Sequence, residues 1–286
     1  YTFGNHSSEW AIPTENYFVG AAVHNSDWEN CFVEHLTHGD YEFAGDCTGY
    51  DRDMPSYAIC AFFKCLYDAT PGVPVRLVNA FFFNACFSRL VFKDGRVFYK
   101  RGGNPSGFPD TLMLNTLTLR VGFNYMHRRL GIFSFHGMYI GDDSHIVYPD
   151  ESLQRVVVAE AVKFWQNEFG HTMKIEGTKK IENGVHSAFA SRVSAQIGDR
   201  IFGVLVNTNK VLTRVKWHEQ GGDALTLFEN DPVYRSRVLG TASALVHHWY
   251  AYKRGLWCER NAVWLYRYFG LEVSSHGTYL EGLQVL

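Results

Sequence analysis

The sequence has no run of about eighteen apolar residues, so it contains no candidate membrane-spanning helix. Its six cysteines, at 31, 47, 60, 65, 86 and 258, form no CxxC pair. That spacing supports neither structural zinc nor a disulfide framework and leaves free thiols as the reading. There is no internal repeat and no low-complexity tract. No Lys or Arg occurs among the 45 residues that precede Asp46. The start, Tyr1-Thr2-Phe3-Gly4, has neither an initiator Met nor a charged-then-apolar leader, and it reads as an excised or partial chain. Net charge is −2, so charge alone does not announce a nucleic-acid partner. The basic residues are instead clustered: Lys93, Arg96, Lys100 and Arg101, then Arg128-Arg129, then Lys179-Lys180.

What is present is core-forming. Hydrophobic residues make up 46%, aromatics 16% and charged residues 20%, a globular rather than a disordered balance. A length of 286 residues suits one large enzyme core or two modest lobes. Tyr41 to Asp46 reads as a strand and Ser56 to Tyr67 as a helix, broken by the Pro/Gly segment Thr70 to Pro74. Asp94-Gly95 lies between Leu90–Lys93 and Arg96–Tyr99, a strong hairpin signal. Pro109 to Leu130 reads as a long helix entered through the glycine-rich loop Gly102 to Gly107. Phe133–Ile140 and Ser144–Tyr148 read as strands around Gly141-Asp142-Asp143, and Leu153–Phe169 as an amphipathic helix. Ile201–Val206 with Val211–Trp217 looks like a further hairpin. From Pro232 to Phe269 apolar residues recur at helical intervals.

The carboxylates carry the chemistry. Nucleotidyl transfer uses two divalent cations roughly 3.5–4 Å apart, and magnesium favours carboxylate oxygen. Such a site therefore needs acids from separate chain segments. Asp142-Asp143 at a bend is one source and Asp46 at a strand end is another. Paired aspartates also occur in ordinary turns, so the pair alone decides nothing. Spacing adds weight: Asp51 follows Asp46 by five residues, and Ser106, Thr111 and Asn115 follow one another at five and four. Thr111 and Asn115 would share one helix face.

The order D-x4-D, SG-x3-T-x3-N, GDD resembles the signature of RNA-dependent RNA polymerases of positive-strand RNA viruses, and Gly102-Gly103-Asn104-Pro105-Ser106-Gly107 is similar to the picornavirus-like branch. The resemblance implies an α/β (α+β) right-hand polymerase: a palm with a small antiparallel sheet flanked by helices, partial fingers and a helical thumb. It implies the C-terminal part of the fingers at 1–38, palm at 39–56, a fingers insertion at 57–101, palm at 102–224 and thumb at 225–286. Asp46, Asp142 and Asp143 would bind Mg2+, with Mn2+ able to substitute. Asp51 and Asn115 would test the ribose 2′-hydroxyl, with Ser106, Gly107 and Thr111 beside them. Lys179 would be the general acid, with Lys180 as its rival. The resemblance further implies template and nascent RNA, nucleoside triphosphates and other viral replication proteins as partners, at membrane-associated complexes in the host cytoplasm.

Two departures stand out. The family's basic strand upstream of its first aspartate has no counterpart here, so the expectation is poor activity for these 286 residues alone. The Phe-Leu-Lys-Arg text of the fifth motif is also missing from Ile201–Val215. Three competing readings remain. A reverse transcriptase would place an aromatic where Ile140 stands. A palm-like nucleotide cyclase would not need the Ser106-to-Asn115 spacing. A catalytically inactive polymerase-like scaffold would retain the fold without the reaction.

Overall fold

The computed structural model describes residues 28–105, 108, 110–197, 200–216, 223–253, 260–272 and 284–285. They fall into two compact units. One contains 37–182; the other joins 28–36 to the residues from Asn183 onward. The division at 182/183 does not coincide with the expected palm–thumb boundary at 224/225.

The first unit is built on a four-stranded antiparallel sheet in the order β4-β5-β1-β6, with β1 at Tyr41–Thr48, β4 at His136–Ile140, β5 at Asp143–Tyr148 and β6 at Thr172–Gly177. Strand alternation explains its two faces. Phe43 and Cys47 of β1, Ile146 and Tyr148 of β5 and Tyr139 of β4 enter the main core. Glu42, Ala44 and Asp46 take the alternate positions. Helices α1 (Tyr50–Asp53), α2 (Ser56–Ala69), α3 (Val75–Cys86), α4 (Thr111–Arg129) and α5 (Glu151–Phe169) complete the unit. Asp150 caps α5 by accepting from the amides of Ser152 and Leu153, and Gly170 ends it at φ 72°. Where α4 meets α5, a Cβ on Gly122 would lie 2.4 Å from the Trp165 ring, so only glycine admits the indole.

The Asp94-Gly95 hairpin forms as expected, with β2 at Arg89–Val91 paired to β3 at Val97–Tyr99. Gly95 takes φ 83° and Asp94 accepts from the Arg96 amide. Helix α3 was not legible in the sequence. Its aromatic run does not alternate cleanly between faces, and Phe81, Phe83 and nearby Phe87 remain exposed.

In the second unit, β7 (Arg192–Ile197) pairs with β8 (Arg200–Leu205). This overturns the expected hairpin between Ile201–Val206 and Val211–Trp217, because Asn209–Lys216 is helix α6. Val211, Thr213 and Val215 alternate like a strand, which misled the reading. The buried residues are in fact Leu212 and Val215, three apart on one helical face, and the Asn207 side chain accepts from the Asn209 amide as the helix begins. The helical tail is as expected: α7 (Ala224–Asn230), α8 (Pro232–Ala244), α9 (Val246–Lys253) and α10 (Arg260–Tyr268). They pack around Phe228, Tyr234, Val238, Trp249, Leu265 and Phe269.

Candidate active site

Strand β1 carries Asp46 to its Cα partner on β5, Asp143. Strand β5 in turn is joined to β4 through the corner Gly141-Asp142, closed by the Ile140–Asp143 pair. Gly141 takes φ 60°, the left-handed region that a two-residue hairpin with glycine at its first corner uses. The Gly141 amide donates to Thr116 Oγ1 at 2.8 Å, and that hydroxyl donates to the Leu112 carbonyl at 2.7 Å within α4. The corner is thereby tied to the helix.

This geometry places the Asp46 and Asp142 side chains near enough for the charge of one to act on the other. The Asp46 carboxyl is accordingly held above the usual carboxylate range, first by burial, then by the negative charges of Asp142 and Glu176, with Lys174 opposing. Among the described residues no three His, Cys, Asp or Glu side chains converge closely enough to hold a metal alone, so Asp143 does not close a three-carboxylate cage around Asp46 and Asp142. The pair still suits magnesium, which is commonly bound by one or two carboxylates and completed by water and substrate phosphate. The crowded negative charge is what a divalent cation would relieve.

Beside the pair lies a second polar group. Asn115 of α4 donates through Nδ2 to Asp51 Oδ1 on α1, and its Oδ1 accepts from Asn104 Nδ2 at 3.3 Å. The glycine-rich loop is pressed onto the segment after β1. The Asn104 amide reaches the Asp51 carbonyl at 2.6 Å, and the Gly103 amide reaches that of Met54 at 2.7 Å. A Cβ on Gly103 would stand 2.6 Å from the Arg52 carbonyl oxygen, so glycine is required there. Thr111 Oγ1 donates to the Pro105 carbonyl at 2.6 Å and holds the loop's far end. Ser106 and Gly107 lie outside the described residues.

The lysines are placed differently from expectation. The Lys179 carbonyl accepts from the Glu42 amide at 3.0 Å, and Lys180 bridges to Tyr41. Both lie near the start of β1, and the four residues from Glu42 to Asp46 span about 13 Å of strand. The structure therefore does not bring Lys179 to the carboxylates. Lys174 of β6 is the Cα partner of Asp46. The sequence resemblance already places Thr172-Met173-Lys174 in the family's lysine-bearing fourth motif, but the general-acid role was given to Lys179, in the loop beyond β6. Sequence reasoning missed Asn104 and Thr116, whose roles depend on partners 11 and 25 residues away.

Comparison with known proteins identifies the family and the fold. The profile of the family described as "Viral RNA-dependent RNA polymerase" matches residues 4–259. The RNA1 polyprotein of Satsuma dwarf virus is 26% identical over 100 residues, covering 35% of this chain and 5% of that polyprotein. The solved structure of the Sicinivirus 3Dpol RNA dependent RNA polymerase superposes with a TM-score of 0.57 at 17% identity, over 89% of this chain and 56% of that one. The chain thus spans a little over half of that polymerase and a small fraction of the polyprotein. Since the family profile covers most of its length, this chain belongs to the viral RNA-dependent RNA polymerases.

Proposed function

We propose that the chain carries the centre of template-directed RNA synthesis. In this reaction an RNA 3′-hydroxyl attacks the α-phosphorus of a nucleoside triphosphate. The new P–O bond forms as the α–β phosphoanhydride bond breaks, the hydroxyl proton is released and pyrophosphate leaves. The observation that carries the proposal is the meeting of Asp46 and Asp142 at the end of the sheet, from segments almost a hundred residues apart. These two carboxylates would bind the divalent cations, with Asp143 assisting from the next strand position. Magnesium, or manganese in its place, would activate the attacking hydroxyl and stabilise charge on the leaving group. Lys174, the Cα partner of Asp46 across β1 and β6, would take the general-acid role expected of Lys179. Template RNA, nascent RNA and other viral replication proteins are the partners this reading calls for, on host cytoplasmic membranes.

The Asp51–Asn115–Asn104 group is the proposed sugar test. Asp51 and Asn115, held together by their own hydrogen bond, would also pair with the incoming ribose 2′-hydroxyl, and a site built around that hydroxyl rejects a sugar lacking it. Asn115→Ala is expected to narrow the preference for ribo- over deoxyribonucleotides by about tenfold to a hundredfold, one lost hydrogen bond to a buried group. Competition between the two sugars on primed RNA measures this, and an unchanged preference would remove Asn115 from the role. Binding of primed RNA without any synthesis, in the longest polypeptide that carries this chain, would favour the inactive scaffold instead.

The hairpin of β2 and β3 offers a surface for the RNA itself. Residues 89–101 hold five of the chain's 27 Lys and Arg but one of its 29 Asp and Glu. Phe92, Phe98 and Tyr99 are about half exposed or more, and the Arg89 and Arg96 guanidinium groups lie over the rings of Tyr99 and Phe92. Exposed rings among cations suit stacked bases and phosphates. Replacing Phe98 and Tyr99 together by Ser is expected to weaken binding of a single-stranded oligoribonucleotide by about tenfold or more. Fluorescence anisotropy would read this, and equal affinity would exclude the hairpin as an RNA contact.

A further inference from the structure

Asn115 and Thr116 are neighbours on α4, both buried, and they point their polar groups at two different parts of the site. Asn115 holds Asp51, in the proposed sugar test. Thr116 holds the Gly141 amide, at the corner that carries Asp142. The Thr116 hydroxyl uses its proton on the Leu112 carbonyl and a lone pair on Gly141, so its rotation is fixed from both sides. Gly141 itself cannot restrain the corner, since it has no side chain and occupies a conformation open to glycine's full freedom.

We infer that Thr116 is a positioning residue that fixes the Asp142 corner against α4, so that one rigid helix sets both the spacing of the carboxylates and the placement of the sugar-testing amide. The inference rests on the polymerase reading for what the two groups do. The contacts themselves are independent of it. A nucleotide whose ribose seats against Asn115 is then delivered in register with Asp46 and Asp142. A sugar that displaces Asn115 shifts the same turn of helix on which Thr116 stands.

The first test needs no catalysis. In the 286-residue protein, Thr116→Val removes the acceptor while keeping the side chain's shape. Amide exchange at Gly141 should accelerate at least tenfold, with exchange in the remainder of α4 unchanged. Affinity for Mn2+ alone, measured by calorimetry or electron paramagnetic resonance, should fall several-fold. Thr116→Ser, which restores the oxygen, should return both to wild type. Should the valine disturb packing, Thr116→Ala tests the same loss without adding bulk.

The second test uses elongation on primed RNA in the full polypeptide. Thr116→Val should lower kcat about tenfold with KM for nucleotide nearly unchanged, and should also narrow the ribose preference. Asn115→Ala should narrow that preference without changing Mn2+ affinity. Loss of thermal stability with normal Gly141 exchange, Mn2+ affinity and kcat would show a purely structural role and overturn the inference. So would failure of Thr116→Ser to rescue. Absence of elongation in the wild type would count against the polymerase reading alone, leaving the exchange and Mn2+ results to decide on Thr116.

Discussion

Asp142→Asn is expected to abolish nucleotide addition and to leave the protein at least as stable as before. The expected loss of elongation on primed RNA is about 10³-fold or more, since the substitution removes a carboxylate proposed to bind the divalent cations. The stability effect has the opposite sign. Asp46 sits against Asp142 and Glu176 with its own charge disfavoured by burial and by both neighbours. An asparagine at 142 removes one of those charges and can donate its amide to the Asp46 carboxylate. Because the pair is half exposed, the gain is screened to about 0.5–1 kcal/mol. Denaturant titration without divalent ions reads the stability, and a marked destabilisation would show that the two carboxylates serve packing instead.

The same pair predicts a pH signature. The folded-state pKa of Asp46 is raised above its ordinary value of 3.8. Its contribution therefore favours folding at low pH and is lost as pH rises through the raised value. Wild-type protein without divalent ions should thus gain on Asp142→Asn as pH falls from neutrality, and the difference between the two curves should shrink when magnesium is added. Melting curves across that range, with and without magnesium, give the comparison. Parallel curves under both conditions would mean that no cation relieves the site.

The parts of this site that could be read from sequence are those whose signals are local. Asp94-Gly95 and Gly141-Asp142 mark their turns by residue type, and both turns form where expected. Thr111 and Asn115 share a helix face because four residues make about one turn, and both reach the glycine-rich loop. The parts that could not be read depend on strand register. Nothing near Lys174 shows that it will lie beside Asp46, since that pairing is set by a shift between Ala44 and Gly45 in the β1–β6 ladder. Lys179 was chosen by distance along the chain, and the fold carries it toward the other end of β1. Helix α6 failed for a different reason. Its short apolar run fits either period, and burial of Leu212 with Val215 against the later helices decided between them.

Register also explains the most damaging substitution expected in the first unit. Glu42 and His145 are fully buried and bonded at 3.0 Å across β1 and β5. Glu42 lies on the same face of β1 as Asp46, and His145 on the same face of β5 as Asp143. The same ladder that seats this pair therefore places the two aspartates opposite one another. A two-residue slip would preserve the apolar alternation, but it would separate Glu42 from His145 inside a dry sheet. Glu42→Ala should cost about 1–3 kcal/mol or more, the range for leaving a buried hydrogen-bonding group without its partner. Replacing both partners by leucine should recover part of that loss, because the donor and acceptor of this bond are removed together. If the double substitution restores stability in urea titrations while elongation stays impaired, the pair contributes to the register that aligns Asp46 with Asp143. Full activity in the double variant would show that the apolar contacts of Phe43, Ile146 and Tyr148 hold that register unaided.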